Sequence, residues 1–578
     1  MTFTPTPASI PPKDALYKMA FPSGASLPVH FSPLNPVHFI LRAALIYPNH
    51  LAVLHPGAPG GPVQYTYATW VQRIQNLAYA LKKYGIMPGD RVAVISPNCP
   101  LIADALQATL AARAVLCPIN TRLTKAEVSY ILEHSGSKLI LVDYEFASLV
   151  EGAKVPVVVS NDTGRAGDPY ERFLDEGRAF SQERGWPGLE LEPNEDANAT
   201  LCYTSGTTGR PKGVISTCRG SYLAAVANAY ETKIERNSVY LWILPMFHAA
   251  GWTYPWAITF AFATQICMRS VRYPDIWRHF LESNVTHYCA APTVQIGIFN
   301  SPEARRLTNP VRAIIAGSAP TAHLIAELEK LNIEVTHVYG LTETYGPFTR
   351  CYPQQSWDAL PLAERAKLMA RQGHAFATSE EARVVYQPAC DDPAELDKPL
   401  VDVKADGKTL GEIVTRGNIV MKEYFNDPEA TRKAFRGGFF ATGDLAVRFP
   451  DGSVSILDRA KDLLISGGEN ASTLAIEQEL VTHPDVLEVA VVARDHPKWG
   501  ERAHAFVVLH PSAVDKHSES TSGFEESLKG HAKERLPGFA RPEWVEVVGD
   551  LPKTSTGKIQ KNVLRNKLKG TGGVKAKL

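Results

Sequence analysis

Short runs of consecutive apolar residues recur along the first third of the chain. Examples are Arg91-Val-Ala-Val-Ile-Ser96, Lys138-Leu-Ile-Leu-Val-Asp143 and Val155-Pro-Val-Val-Val159, each bounded by turn-forming residues. Between them lie longer stretches, 70–83 and 100–112, whose apolar positions fit helices. Continuous apolar strands alternating with helices predict an α/β fold, with parallel sheet covered on both faces. Beyond about residue 460 the pattern becomes that of a smaller unit, with strands over 486–493 and 503–509. The stretch 511–530 is polar and reads as a surface loop between two ordered segments. Between Arg236 and Arg269 there is no Asp, Glu, Lys or Arg, and about 20 apolar residues suffice to cross a bilayer. Pro245, His248, Gly251 and Pro255 break that run. It is expected to form a buried strand, a functional loop and a buried helix, with no transmembrane segment.

Composition narrows the field. Of 578 residues, 45% are hydrophobic and 21% charged, an ordinary globular balance that excludes wholesale disorder and fibrous repeats. Lys plus Arg and Asp plus Glu both number 60, so the net charge is +0 and no nucleic-acid partner is expected. Eight cysteines without a Cys-x-x-Cys spacing form neither a zinc nor a disulfide framework. The chain reads as a reduced intracellular enzyme or binding protein.

The strongest local signal is Leu201-Cys-Tyr-Thr-Ser-Gly-Thr-Thr-Gly-Arg-Pro-Lys-Gly-Val214. Gly206 and Gly209 let backbone N–H groups approach a phosphate. Thr204, Ser205, Thr207 and Thr208 add hydroxyl donors, and Lys212 adds a positive charge. It is not a Walker A loop, which needs Gly-x-x-x-x-Gly-Lys-Ser/Thr. A generic loop of this composition also fits a flexible surface turn; the whole string is far more specific.

That string resembles the phosphate-loop signature of the adenylate-forming superfamily. The superfamily comprises acyl-CoA synthetases, peptide-synthetase adenylation domains and firefly-type luciferases. Further motifs follow in the family's order: Pro245-Met-Phe-His248, Ala316-Gly-Ser-Ala-Pro320, Tyr339-Gly-Leu-Thr-Glu343 and Thr442-Gly-Asp444. Then come Asp458-Arg-Ala-Lys-Asp462, Gly467-Gly-Glu-Asn470 and Pro552-Lys-Thr-Ser-Thr-Gly-Lys558. The resemblance implies a large N-terminal AMP-binding domain of sheets packed with helices, over 1–457. It implies a small mobile α+β C-terminal domain over 458–570 and a flexible tail over 571–578.

The resemblance also implies roles. Tyr339 offers an aromatic face to adenine, beside the small Gly317, Ser318 and Ala319. Thr342 supplies a hydroxyl to the α-phosphate, and Glu343 is the expected Mg²⁺ ligand, since Mg²⁺ takes one or two carboxylates plus phosphate oxygens. Asp444 accepts from the ribose hydroxyls, and Arg459 adds ribose or phosphate contacts. Lys558 carries the adenylation step, because an ammonium stabilises the charge that builds as pyrophosphate leaves. Lys553 is the alternative. Lys461 marks the hinge, and Gly467 and Gly468 approach the pantetheine arm of coenzyme A. His248 lies by the acyl tunnel that the resemblance implies or is a satisfied core histidine. Trp252, Tyr254 and Trp256 either line that tunnel or pack in the core. Acetate-specific relatives carry a tryptophan where this chain has Gly340, so Gly340 is expected to leave the pocket open to acids longer than acetate.

The implied activity is ATP-dependent carboxylic acid:CoA ligation through an acyl-adenylate. Stand-alone adenylation of the peptide-synthetase or luciferase type is the alternative, and no phosphopantetheine site follows Lys558 to favour the former. The presence of Glu343, Asp444, Arg459 and Lys558 together argues against a catalytically dead binding protein. The region from Ser356-Trp-Asp-Ala-Leu-Pro361 to Gly373 resembles plant and fungal peroxisomal members acting on medium-chain, branched or aromatic acids. Some fungal relatives serve polyketide-like toxin pathways. Ala576-Lys577-Leu578 is a small–basic–leucine variant of the Ser-Lys-Leu address, which predicts the peroxisomal import receptor as a partner.

Overall fold

The computed structural model of the chain describes residues 3–22, 27–204, 210–317, 320–388, 397–459, 462–517, 521–554 and 557–571. Two large sheets form the first part. A seven-stranded sheet runs Glu423–Tyr424, Gly213–Thr217, Asn198–Tyr203, Val115–Ile119, Arg91–Ile95, Leu139–Asp143 and Val157–Ser160. Its last five strands are parallel. A nine-stranded sheet begins His374–Ala375, Gly346–Arg350, Ile333–Leu341, Val311–Ile315 and His287–Ala290. It continues through Val239–Trp242, Thr264–Cys267, Leu51–His55 and Val63–Thr66, and is parallel through its centre. The apolar runs thus form parallel sheet, as expected: Arg91–Ile95 and Leu139–Asp143 are buried inside it, and Val157–Ser160 is its partly exposed edge strand.

Helices cover these sheets, and their starts are written locally. Tyr67–Lys83 begins at Thr66, whose hydroxyl accepts from the Thr69 N–H, and Pro100 opens the helix Pro100–Ala111, every residue of which is buried. The uncharged segment forms strand Val239–Trp242, a loop, two short helices ending at Phe260, and strand Thr264–Cys267. None of the described helices is long and apolar enough to cross a membrane.

An antiparallel sheet follows. Phe439–Arg448 lies in it between Gly411–Gly417 and Val454–Arg459. A separate C-terminal sheet pairs Glu469–Ala471, Leu464–Ser466, Gly500–Leu509 and Val486–His496, with Pro542–Val547 added in parallel. Its two longest strands, Val486–His496 and Gly500–Leu509, match the two expected after residue 460.

One expectation is corrected. The polar stretch 511–530 is not a loop: it contains the helix Pro511–Val514 and most of Ser522–Arg535. In the latter Phe524, Leu528 and Ala532 recur every fourth residue and bury against the C-terminal sheet. Burying such a Phe and Leu is worth about 1.5–3 kcal/mol each, which outweighs the modest helix propensity of the flanking Ser, Gly and His residues.

Candidate active site

The site lies where the ends of three sheets meet. Strands Asn198–Tyr203 and Gly213–Thr217 pair antiparallel, with Tyr203 opposite Gly213. The Thr204 N–H donates to the Lys212 carbonyl at 3.0 Å and closes the neck of the phosphate-loop motif. Ser205, Gly206, Thr207, Thr208 and Gly209 lie outside the described residues, as do Ser318, Ala319, Lys461, Ala576, Lys577 and Leu578.

Strand Ile333–Leu341 delivers the second motif. It ends in a short 3-10 turn, Thr342–Thr344, and the chain returns as Gly346–Arg350. The Glu343 carboxylate accepts from the Tyr424 hydroxyl at 2.9 Å, and the Lys212 ammonium sits 4.7 Å from the centre of the same phenol ring. Burial pushes the Glu343 carboxyl up, against the lowering effect of the Tyr424 bond. Tyr424 reaches this point because Glu423–Tyr424 pairs with Gly213–Thr217, directly after the phosphate loop.

The third part is the antiparallel pair of Asp444 and Arg459, which face each other across two strands. Asp444 is buried; its carboxylate accepts from the Tyr339 hydroxyl at 2.6 Å and lies 3.3 Å from Arg459 Nε. A carboxylate offers about four lone-pair sites, so capacity for two further hydroxyl donors remains. Gly443, at φ +74°, sits at the register irregularity of strand Phe439–Arg448 just before Asp444, and its N–H donates to Glu412 at 2.9 Å. Glu412 is itself paired with Arg436 at 2.6 Å.

Lys558 comes from the C-terminal part. Its loop closes on itself through the Thr554 N–H to the Lys558 carbonyl at 2.7 Å and a bridge between Lys553 and Ile559. The Thr293 hydroxyl donates to the Gly557 carbonyl at 2.9 Å, docking that loop on the helix Pro292–Phe299. A Cβ on Gly557 would lie 2.3 Å from the Thr293 hydroxyl and 3.7 Å from Ala291, which also neighbours Gly317. Glycine is required there for contact as well as for its φ of +83°. The docking brings Lys558 near His248. Desolvation and the Lys558 charge push that imidazole down to about 4, so it is neutral at pH 7. Lys553, by contrast, is ion-paired to Glu488 and Asp550, each at 2.9 Å. Gly467 and Gly468 form an exposed turn between strands Leu464–Ser466 and Glu469–Ala471.

Comparison with known proteins agrees with the order of these motifs along the chain. Residues 41–425 match the model for AMP-binding enzyme, and 475–558 match the AMP-binding enzyme C-terminal domain. The chain belongs to the AMP-binding enzyme family. An acetate/butyrate–CoA ligase of Arabidopsis thaliana, named as peroxisomal, is 39% identical over 95% of this chain and 97% of its own length. A peroxisomal trans-cinnamate:CoA ligase of Petunia hybrida is 35% identical over 94% of this chain and 95% of its own. The structure of ATP-bound MatB from Rhodopseudomonas palustris superimposes with a TM-score of 0.78 at 25% identity. It covers 93% of this chain and 100% of that one.

Among AMP-binding enzymes the pocket argument from Gly340 needs correction. A Cβ at Gly340 would lie 2.0 Å from the Gly346 carbonyl oxygen, so the two strands touch there. Glycine serves a close backbone approach at this point, and no open volume can be inferred from its missing side chain. Trp252, Tyr254 and Trp256 are all buried in one core cluster, and of the three Trp252 also lies beside His248, with the ring centres 6.4 Å apart.

Sequence reading missed Tyr424, Thr293 and Glu412. Their immediate neighbours carry no Gly-rich or paired-charge signal, and each acts through a partner more than 30 residues away. The nearness of His248 and Lys558 can be read in solution. In an NMR pH titration the His248 imidazole should titrate near 4, and Lys558→Ala should move it upward, because a repelling cation is removed. An unchanged midpoint in that variant would separate the two residues.

Proposed function

We propose that the protein is an ATP-dependent carboxylic acid:CoA ligase with an acyl-adenylate intermediate. The observation that carries this is the docking of the Lys558 loop on Thr293, beside His248, within a chain related to named CoA ligases over nearly its full length. In the first step the acid's carboxylate oxygen attacks the α-phosphorus of ATP and the bond to pyrophosphate breaks. In the second the thiol of coenzyme A attacks the acyl carbonyl, its proton is lost, and AMP leaves.

The residues divide these tasks. Asp444 and Arg459 hold the ribose, and Tyr339, Gly317, Ser318 and Ala319 frame the base. Thr204, Ser205, Gly206, Thr207, Thr208, Gly209 and Lys212 embrace the β- and γ-phosphates. Thr342 donates to the α-phosphate, and Lys558 neutralises the charge that develops there. Neutral His248 orients the acid's carboxylate, with Trp252 beside it. Gly467 and Gly468 are exposed in the present arrangement, so rotation about Lys461 is the step that brings them to coenzyme A.

Glu343 fits a Mg²⁺ site. It is a partly buried carboxylate that accepts from a neutral phenol, with no basic side chain in ion-pair contact among the described residues. The ion would offset phosphate charge during pyrophosphate departure. Glu343→Gln keeps the shape but removes the charge, so about tenfold more Mg²⁺ should be needed for half-maximal pyrophosphate release. An unchanged requirement would make Glu343 an orienting residue only.

The acid is medium-chain, branched or aromatic on this reading. Acetate and butyrate belong in the test, because a relative bears their names. The experiment is pyrophosphate release across acetate, C4–C18 and aromatic acids, with and without coenzyme A. Release with adenylate accumulation and no thioester would favour stand-alone adenylation instead. Preference for an aromatic or branched acid would fit a polyketide-like secondary pathway, and preference for unbranched acids would fit chain shortening.

Peroxisomal import through Ala576-Lys577-Leu578 completes the proposal, supported by relatives named as peroxisomal. A fluorescent protein carrying the last ten residues should be punctate, and deletion of Leu578 should make it diffuse. Diffuse signal from both fusions would remove the address.

A further inference from the structure

We infer that Asn228 is a specificity-determining positioning residue: its buried amide fixes Trp252 as a rigid wall of the acid pocket. This rests on the reading of Trp252 as a pocket residue. The segment after His248 has an unusual backbone. Ala249, Gly251, Trp252 and Thr253 have φ of 42°, 63°, 54° and 65°. Left-handed backbone is unfavourable for a bulky aromatic and for a β-branched residue, so it persists only where neighbours enforce it.

Asn228 is the enforcing group. It is fully buried in the helix Cys218–Glu231, and its Nδ2 donates to the Trp252 carbonyl at 3.1 Å and to the Thr253 hydroxyl at 2.5 Å. The Thr253 hydroxyl in turn donates to the Trp252 carbonyl at 2.5 Å. One amide therefore holds two consecutive left-handed residues. From the other side, a Cβ on Gly346 would lie only 3.1 Å from the Trp252 Cα, so the wall is pressed against the strand that leaves Thr342 and Glu343.

Nothing about the helix itself calls for asparagine at this position. Asn is a weak helix former, and Asn228 Oδ1 has no hydrogen-bond partner among the described residues, which is costly for a buried acceptor. The residue is accounted for by its two donated bonds. A wall held in this way does not relax around a longer acid. Without the amide, Trp252 and Thr253 can return to ordinary backbone geometry, and the ring moves with them.

The test is a double-mutant cycle on the full-length enzyme, reading kcat/KM over unbranched acids from C2 to C10. Asn228→Ala should flatten the preference between the best acid and one two carbons longer by about tenfold, the scale of methylene discrimination in a pocket. The KM for ATP should stay within about twofold, since uniform loss of structure would move both substrates together. In a Trp252→Ala background the same substitution should leave the preference unchanged. Asn228→Asp keeps the volume and loses the donors, and reports the same outcome if the alanine variant does not fold. If Trp252→Ala alone leaves acid preference untouched, the pocket reading itself fails. If Trp252→Ala shifts preference while Asn228→Ala and Asn228→Asp do not, or if the effects simply add, the positioning role is overturned.

Discussion

Lys558→Ala is expected to slow acyl-adenylate formation by about 10²–10³-fold, the scale seen when one preorganised charge-stabilising donor is removed from a reacting centre. Conversion of a supplied acyl-adenylate to thioester should stay within a few-fold of the parent. The asymmetry follows from the chemistry: only the first step expels pyrophosphate and builds charge at the α-phosphate. The geometry makes the loss hard to repair. The alternative, Lys553, is held by Glu488 and Asp550 at 2.9 Å each and cannot leave without stripping the sheltered Glu488 carboxylate of its cation. Thr293 fixes the loop through the Gly557 carbonyl, so the ammonium arrives on a constrained backbone and not on a free tether. ATP–pyrophosphate exchange measures the first step, and thioester formation from synthetic acyl-adenylate measures the second. Equal losses in both would assign Lys558 a structural part.

The second large effect concerns stability. Arg73 is wholly buried in the helix Tyr67–Lys83 and pairs with Asp104 at 3.0 Å and Glu171 at 2.8 Å. Trp70 and Tyr170 also donate to Asp104, and Ser9 lies 3.3 Å from the guanidinium. Arg73→Leu should cost about 3–5 kcal/mol in urea unfolding, because two buried carboxylates lose their cation. Burial already pushes Asp104 up even with Arg73 against it. Without Arg73 it rises further, and the folded state then binds a proton that the unfolded state releases. The deficit is therefore full at pH 7 and shrinks as pH falls toward the ordinary carboxylate range near ~4. Adding Asp104→Asn and Glu171→Gln should recover much of the loss. A deficit that ignores both pH and the added amides would trace it to packing and not to charge.

This network also shows where local sequence stops. Near the start of the chain Ser9 is buried against Arg73, and the Ala8 carbonyl accepts from Asn76. No local pattern announces that contact, since the partners are more than 60 residues apart.

What the sequence alone determined is substantial. Runs such as 91–96 and 138–143 could only be strands buried on both faces, and that fixed the parallel sheets. The ordered motifs from Thr204 to Lys558 identified the family, because chemistry at a phosphate needs glycines, hydroxyls and charges at set spacings within one loop. Tertiary structure decided the rest. It replaced the expected loop at 511–530 with helices, since a few apolar residues such as Phe524 and Leu528 among many polar ones matter only when a sheet stands ready to bury them. It removed the volume argument from Gly340, because what a missing Cβ leaves behind depends on the facing strand and not on the residue. It brought in Tyr424, Thr293 and Asn228, whose effects run through one or two hydrogen bonds to distant backbone or side-chain atoms. Periodicity and motif spacing are local properties of a chain. A hydrogen bond between residues far apart in sequence exists only after folding has closed the loop between them.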